Sequence, residues 1–310
     1  MERKVLIGVD GSNPALWAVE YVGLMSQIIT KLSATIYHVV RSVPPPVLQG
    51  DNRDVQNFRL AQRMQQLMQE RAGAIVDQAR ERLEASGFPS ERIQTKALTR
   101  GLGLARDIVF EGEQGLYDAI VLGRRGLSKM QEVFLGSVTN KVVQHADRVA
   151  TWVVGGKVKS RRILCAVDNS QGSLKAVDHL AFMLEGCPDC QVSLFHAGPN
   201  LAALPAVGLA ESDAKDLAKE LDQYDREQSA GFHAQTRRIF QDHGHDPAKV
   251  EIISRSEKGG VSNAIIKEAE AGDYGTVVLG RRGEGGAFWL GHVSDKVLAK
   301  ANNLAVWVVG

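Results

Sequence analysis

The 310-residue sequence predicts an α/β fold written twice in tandem, and three observations predict it. Short continuous runs of Val, Ile and Leu alternate with helical patterns: VLIGV, ATIYHVV, RIQTKAL, DAIVLG and ATWVVG in the first half. Strands of a parallel sheet covered on both faces read this way, because neither face meets water. Two long segments then recur. KVLIGVDGSNPALWAVEYV at 4–22 returns as RILCAVDNSQGSLKAVDHL at 162–180, and VLGRRGLSKMQEVFLGSVT at 121–139 returns as VLGRRGEGGAFWLGHVS at 278–294. Finally, the offset is almost constant: 158 for Asp10 and Asp168 and for His38 and His196, 157 for Gly123 and Gly280, 155 for Trp152 and Trp307. That is duplication with a small deletion late in the second copy.

Two domains are therefore expected, 1–157 and 158–310, each long enough to bury a core and joined across the short polar stretch GGKVKSRR at 155–162. In the first, strand VLIGV runs into VDGS. A helix is expected after Asn13, with Pro14 at its first position, burying Trp17, Tyr21, Leu24 and Ile28. The second copy repeats the stripe as Leu174, Val177 and Leu180. After the second strand comes a Pro-rich excursion, SVPPPVLQGDN, and an amphipathic helix with Phe58, Ala61, Met64, Met68, Ile75, Ala79 and Leu83 on its apolar side. Its methionines are expected to fill gaps in the core, a partner groove being the alternative. The second copy has GPNLAALPAVGLAESD and a helix from about Ser212 to about Asp242. Each copy ends in an apolar strand, TWVVGG or VWVVG, whose bare edge would invite aggregation, so an internal pseudo-dimer of the two domains is expected.

The 37 basic residues nearly cancel the 36 acidic ones, so no strong field recruits nucleic acid or an anionic membrane. No run approaches the roughly 20 apolar residues of a spanning helix, and MERKVLIGVDGS lacks a signal-peptide core. Three cysteines, Cys165, Cys187 and Cys190, are too few for a disulfide framework and point to a reducing, cytoplasmic setting. CPDC has redox or zinc spacing, but no second pair exists to complete a zinc site, so Cys187 and Cys190 are expected to be turn cysteines around Pro188.

Chemistry concentrates after strand AIVLG. Gly123 ends the strand, Gly126 follows after two residues, Gly136 and Ser137 after nine more, and VTNKVVQHA then has helical periodicity. A glycine at a strand end lets backbone approach a ligand closely. Gly136-Ser137 at a helix start would offer N–H groups, a hydroxyl and the positive end of the dipole, the ingredients of an anion site. In open parallel sheets ligands bind beyond the carboxyl ends of strands, where Asp10 and His38-Val39 must also lie. A lone His38 with no carboxylate or cysteine partner in view is expected to be structural.

This constellation resembles the universal stress protein family, whose nucleotide-binding members carry G-x2-G-x9-G-[ST] with an Asp after the first strand and H-V after the second; here these are VDGS, YHVV and the loop from Gly123. The match covers both halves. The resemblance implies two tandem Rossmann-like domains of the adenine nucleotide alpha hydrolase type, each a five-stranded parallel sheet of order 3-2-1-4-5 with helices on both faces, often dimeric through the last strand. It implies ATP or AMP as ligand, with Mg2+ as an optional companion. Asp10 and Val39 would lie near the adenosine, Gly123 and Gly126 along the phosphate path, and Gly136, Ser137 and Val138 on the phosphates. Arg124 and Arg125 would add charge there, unless their place beside a glycine turn leaves them solvated.

The second copy departs from the pattern. Asp168, Gly280 and Gly283 remain, but Ala197 replaces the valine, only seven residues separate Gly283 from Gly291, and His292 stands where the serine would be. One nucleotide per chain is expected, in the first domain. Nothing reads G-x4-G-K-[ST], and no metal-ligand cluster or nucleophile elbow occurs. The expected role is regulatory, presenting a nucleotide-dependent surface to protein partners, with slow ATP hydrolysis at most; the alternatives are an enzyme, a slow ATP hydrolase or a transferase of the adenosyl class, and a nucleotide-independent interaction scaffold.

Overall fold

The computed structural model describes residues 1–40, 55–99, 101–125, 135–198, 211–256, 260–281 and 290–310. They form two compact units, Met1–Gln27 with Lys31–Lys157, and Ile28–Thr30 with Val158–Gly310.

The first unit runs β1 (Arg3–Gly8), α1 (Asn13–Met25), β2 (Leu32–Val40), α2 (Val55–Ala85), β3 (Ile93–Thr99), α3 (Leu104–Gln114), β4 (Ala119–Gly123), α4 (Ser137–His145), β5 (Ala150–Val154). All strand pairings are parallel, in order β3-β2-β1-β4-β5. Ile7 is flanked by Ile36 and Val121. The second unit runs β6 (Ile163–Val167), α5 (Gln171–Leu184), β7 (Val192–Gly198), α6 (Glu211–Asp242), β8 (Val250–Ser256), α7 (Val261–Ala271), β9 (Thr276–Gly280), α8 (His292–Lys300), β10 (Ala305–Val309). Its order is β8-β7-β6-β9-β10, with Cys165 flanked by Leu194 and Val278 at the equivalent register. In each unit the first two helices pack together on one face and the last two on the other. Covered on both sides, Val5, Leu6, Ile7 and all of β5 are buried, which accounts for their unbroken apolar runs.

The details of α1 correct the sequence reading. Its cap is Ser12, whose hydroxyl accepts from the Ala15 N–H at 3.3 Å, so Pro14 takes the second position rather than the first. Leu16, Val19, Val22 and Met25 are buried with Tyr21, whereas Trp17, Leu24 and Ile28 are only half-buried. Leu174, Val177 and Leu180 of the second copy are buried as expected, and at the 158 offset they correspond to Leu16, Val19 and Val22. The first-copy stripe was thus turned by about one residue. NPALWAVEYVGLM is apolar nearly all round, so periodicity cannot choose its inner face.

Among the described side chains of α2, those that reach the core lie in its second half, Ala72, Val76, Ala79 and Leu83; Phe58 is 65% exposed. The Pro-rich stretch before it, and residues 199–210 in the second copy, lie outside the described residues.

Cys187 and Cys190 are not merely turn cysteines: a disulfide joins them between α5 and β7, their Cα atoms 5.6 Å apart. The reversal around Pro188 brings the pair within bridging range without a framework of other cysteines. Cys165 is fully buried, and burial pushes its thiol up to about 12. No helix among the described residues is long and apolar enough to cross a membrane.

Candidate functional site

At the carboxyl edge of the first sheet, β1 and β4 are neighbours whose onward connections leave to opposite faces. A cavity of about 820 Å3 opens beyond these strand ends, at the position where such sheets bind ligands and within the size range of small-molecule sites. Asp10, Val39, Gly123, Arg125, Gly136, Ser137 and Val138 all border it. Gly126 lies outside the described residues. The floor is apolar: Val39, Ile108 and Leu122 belong to one buried cluster, with Leu104 and Val138 packed against it.

Local chemistry places each polar group. Beyond β1, the Asp10 carboxylate accepts the Ser12 N–H at 3.0 Å and turns the chain into α1. Gly11 has a φ of +80°, and a Cβ there would meet Ile75 of α2 at 3.2 Å, so this turn rests directly on α2. His38 donates from Nδ1 to the Val9 carbonyl at 2.8 Å, which ties β2 to β1. Tyr37, also on the wall, has its phenol pushed up to about 12, by burial first and then by Glu111 and Asp107.

The loop glycines also have packing reasons that the sequence does not display. At Gly123 a Cβ would stand 2.5 Å from the carbonyl of Pro14, so the missing side chain admits the start of α1 beside the cavity; Gly280 does the same for Gly172 at 2.6 Å. The Gly136 N–H is not free, because it donates to the Arg124 carbonyl at 2.8 Å. Open donors begin one residue later, at Ser137, in a helix with no side-chain cap and no acid in its first turn. The Thr139 hydroxyl donates to the Gly123 carbonyl at 2.8 Å and anchors α4 on β4.

The paired arginines separate. Arg125 borders the cavity, whereas Arg124 is buried and does not line it. Burial, and then the charge of Arg125, hold the Arg124 guanidinium below the usual arginine range.

One wall was missed from sequence. Met68, Arg71 and Ile75 of α2, spaced three and four residues apart, face the cavity. Met68 and Ile75 stood in the apolar stripe, but Met68 lines the site instead of filling core, and Arg71 was not singled out. The signal was an arginine within an apolar helical stripe.

In the second unit the packing repeats, while the side chains at the positions equivalent to the cavity lining differ. Gly291 N–H bonds the Arg281 carbonyl at 2.8 Å and the Ser294 hydroxyl bonds the Gly280 carbonyl at 2.9 Å. But Asp168 now accepts from the hydroxyls of Ser170 and Ser173, both at 2.6 Å, and Ser173 stands where the first copy has the cavity-lining Ala15. Phe232 occupies the place of Ile75 and is buried, at the offset of 157 that also relates the helix-ending Gly87 and Gly244. Ser229, in place of Ala72, sits 3.4 Å from His196 Nδ1 and accepts from Asn169 at 3.3 Å. Ala197 is half-buried, His292 is exposed, and Asp295 places an acid in the first turn of α8, where it opposes a bound anion. Gly283 lies outside the described residues. No group of three or more His, Cys, Asp or Glu suited to a metal occurs among the described residues.

The model of the universal stress protein family matches residues 1–154 and again 159–310. Among solved structures, a universal stress protein from Archaeoglobus fulgidus DSM 4304 aligns with a TM-score of 0.64 at 18% identity, covering 99% of this chain and 97% of that one. A putative universal stress protein from Pseudomonas aeruginosa UCBPP-PA14 aligns with a TM-score of 0.55 at 15% identity, covering 99% and 93%. A functionally unknown protein from Pseudomonas aeruginosa PAO1 gives 0.54 at 14%, covering 99% and 92%. At such identities these likenesses are of fold. No curated protein matches the chain significantly. With the family model matched over both repeats, the chain belongs to the universal stress protein family, as two tandem domains.

Proposed function

We propose that the chain is an adenine-nucleotide-binding regulatory module, divided at 157/158, that holds one ATP or AMP in its first domain. The observation that carries this reading is the cavity of about 820 Å3 that gathers the strand-end residues Asp10 and Val39, the cation Arg125 and the open first turn of α4 at Ser137-Val138. An apolar floor suits a base. The uncapped helix start and a guanidinium suit phosphates. Asp10 is the only carboxylate among the described cavity-lining residues, so an accompanying Mg2+ would depend mainly on phosphate oxygens for its ligands. The second domain, with its aspartate occupied by serines and Phe232 in place of Ile75, serves as the unliganded partner. The test is mass spectrometry of small molecules released on denaturing freshly purified protein, followed by calorimetric titration with ATP and AMP. Recovery or binding of an adenine nucleotide supports the reading; the absence of both leaves the interaction-scaffold role.

A further inference from the structure

The turn between α5 and β7 reads EGCPDC. Gly186, with a φ of +83°, ends the helix, the Cys187 N–H bonds the Leu184 carbonyl at 2.9 Å, and the chain reverses so that Cys187 and Cys190 are joined. Both cysteines are partly exposed. Both border a cleft of about 380 Å3 at the amino ends of β7 and β8, opposite in the domain to the strand ends that carry Asp168 and His196, with Phe240 and Lys249 on its other side. Lys249 donates from Nζ to the Pro188 carbonyl at 2.8 Å and stands 3.8 Å from the Asp189 carboxylate. A cation is thus fixed to the same tetrapeptide as the two sulfurs. The corresponding turn of the first copy, SQIITKL, has no cysteine.

We propose that Cys187 and Cys190 form a reversible dithiol–disulfide site that exchanges with small thiols of the glutathione class. A bridge that closes only four residues confines little unfolded-chain freedom, so it is a poor structural staple. Partial exposure gives an external sulfur access, and the cleft is of small-molecule size. The site lies at the negative end of α5, which disfavours thiolates, while Lys249 favours them; the reduced pair is therefore less stabilised than a dithiol at a helix start, and the site suits an acceptor of oxidation rather than a donor of disulfides. In the oxidising direction one cysteine thiolate attacks oxidised glutathione and expels one glutathione thiol, leaving a mixed disulfide. The second cysteine then attacks the chain-borne sulfur of that bond and expels the other. Two electrons and two protons pass from the chain to the glutathione disulfide, which becomes two thiols. Cys165, fully buried, stays outside this chemistry and serves as an internal reference.

The experiment equilibrates the full chain without oxygen in glutathione buffers from fully reduced to fully oxidised, quenches with acid, alkylates and reads the peptides by mass. Cys187 and Cys190 should lose alkylation together in one two-electron transition, with Cys165 unchanged. At least one of Cys187→Ser and Cys190→Ser should accumulate a single glutathione adduct, and Lys249→Gln should slow exchange several-fold. The proposal is overturned if the pair stays alkylated in oxidised glutathione, if it stays bonded in a large excess of reduced glutathione, or if neither single variant forms an adduct. A bond that yields only to a protein dithiol overturns the small-thiol assignment.

Discussion

The His179 ring stands edge-on to the Trp307 indole, 6.0 Å between centroids and 73° between planes, with its Nε2 buried and lacking a hydrogen-bond partner. The first copy has Tyr21 against Trp152, 6.2 Å apart at 80°. Where the tyrosine cannot take up a proton near neutrality, the histidine can, and burial holds it down to about 4 despite the opposing pull of Asp178. The unfolded chain binds that proton below its ordinary value of 6.5. Stability is therefore fully present above about 6.5 and is lost as pH falls toward 4, by at most about 3 kcal/mol. Part of the residue reaches the surface, so the loss should fall short of that limit. Urea midpoints measured at pH 7.5 and 4.5 should converge in His179→Phe relative to the unmodified chain; parallel pH dependences would rule this origin out.

Ser137→Asp separates folding from binding. An acid at the first position of α4 suits the helix dipole, by about 0.3–1 kcal/mol, yet it sets a carboxylate where phosphate would need N–H groups. ATP affinity should fall roughly tenfold or more, about 1.4 kcal/mol, with an unchanged melting temperature or a slight rise. Unaltered affinity in calorimetry would put the phosphates elsewhere. Gly136→Val is a less clean probe, because its Cβ would press on Arg124 and Arg125 backbone at 3.2 Å and disturb the loop itself.

Titration with ATP should give one site per chain. Asp10→Ala should weaken it, whereas Asp168→Ala should leave affinity alone and cost about 1 kcal/mol of stability through the released hydroxyls of Ser170 and Ser173. Two sites, or a loss of affinity in Asp168→Ala, would contradict the assignment of the second domain.

Gly123→Ala and Gly280→Ala should each destabilise by about 1–3 kcal/mol, since the new methyl meets helix backbone at 2.5 and 2.6 Å. Thermal melts would register both, and only the first should also disturb ATP binding. A neutral result at Gly280 would refute the packing role.

The strands were legible because doubly covered strands are apolar at every position, and the repeat located the first and long helices of each copy, while Leu104–Gln114 and Val261–Ala271 were not placed. The three strand-end motifs do converge: Asp10, Val39, Gly123 and Ser137 border one cavity. What the sequence hid required knowing which faces meet. Arg124 and Arg125 are indistinguishable as neighbours in a string, yet one is buried and the other lines the cavity. Arg71 reaches the site only because α2 lies across the turn at Gly11. The inner face of α1 was ambiguous because the helix has almost no polar side, and the Cys187–Cys190 bond depended on the local path around Pro188.

The hydrogen bond from Gly136 to the Arg124 carbonyl, repeated between Gly291 and Arg281, closes each glycine loop at its base with the same 2.8 Å contact. Eleven residues span that clasp in the first copy and nine in the second. Closure therefore does not depend on what it encloses, as the shallow length dependence of loop entropy allows. The strand end and the helix start are thus held to each other by the clasp itself, and a two-residue difference in the intervening sequence leaves β4 with α4 and β9 with α8 in the same relation.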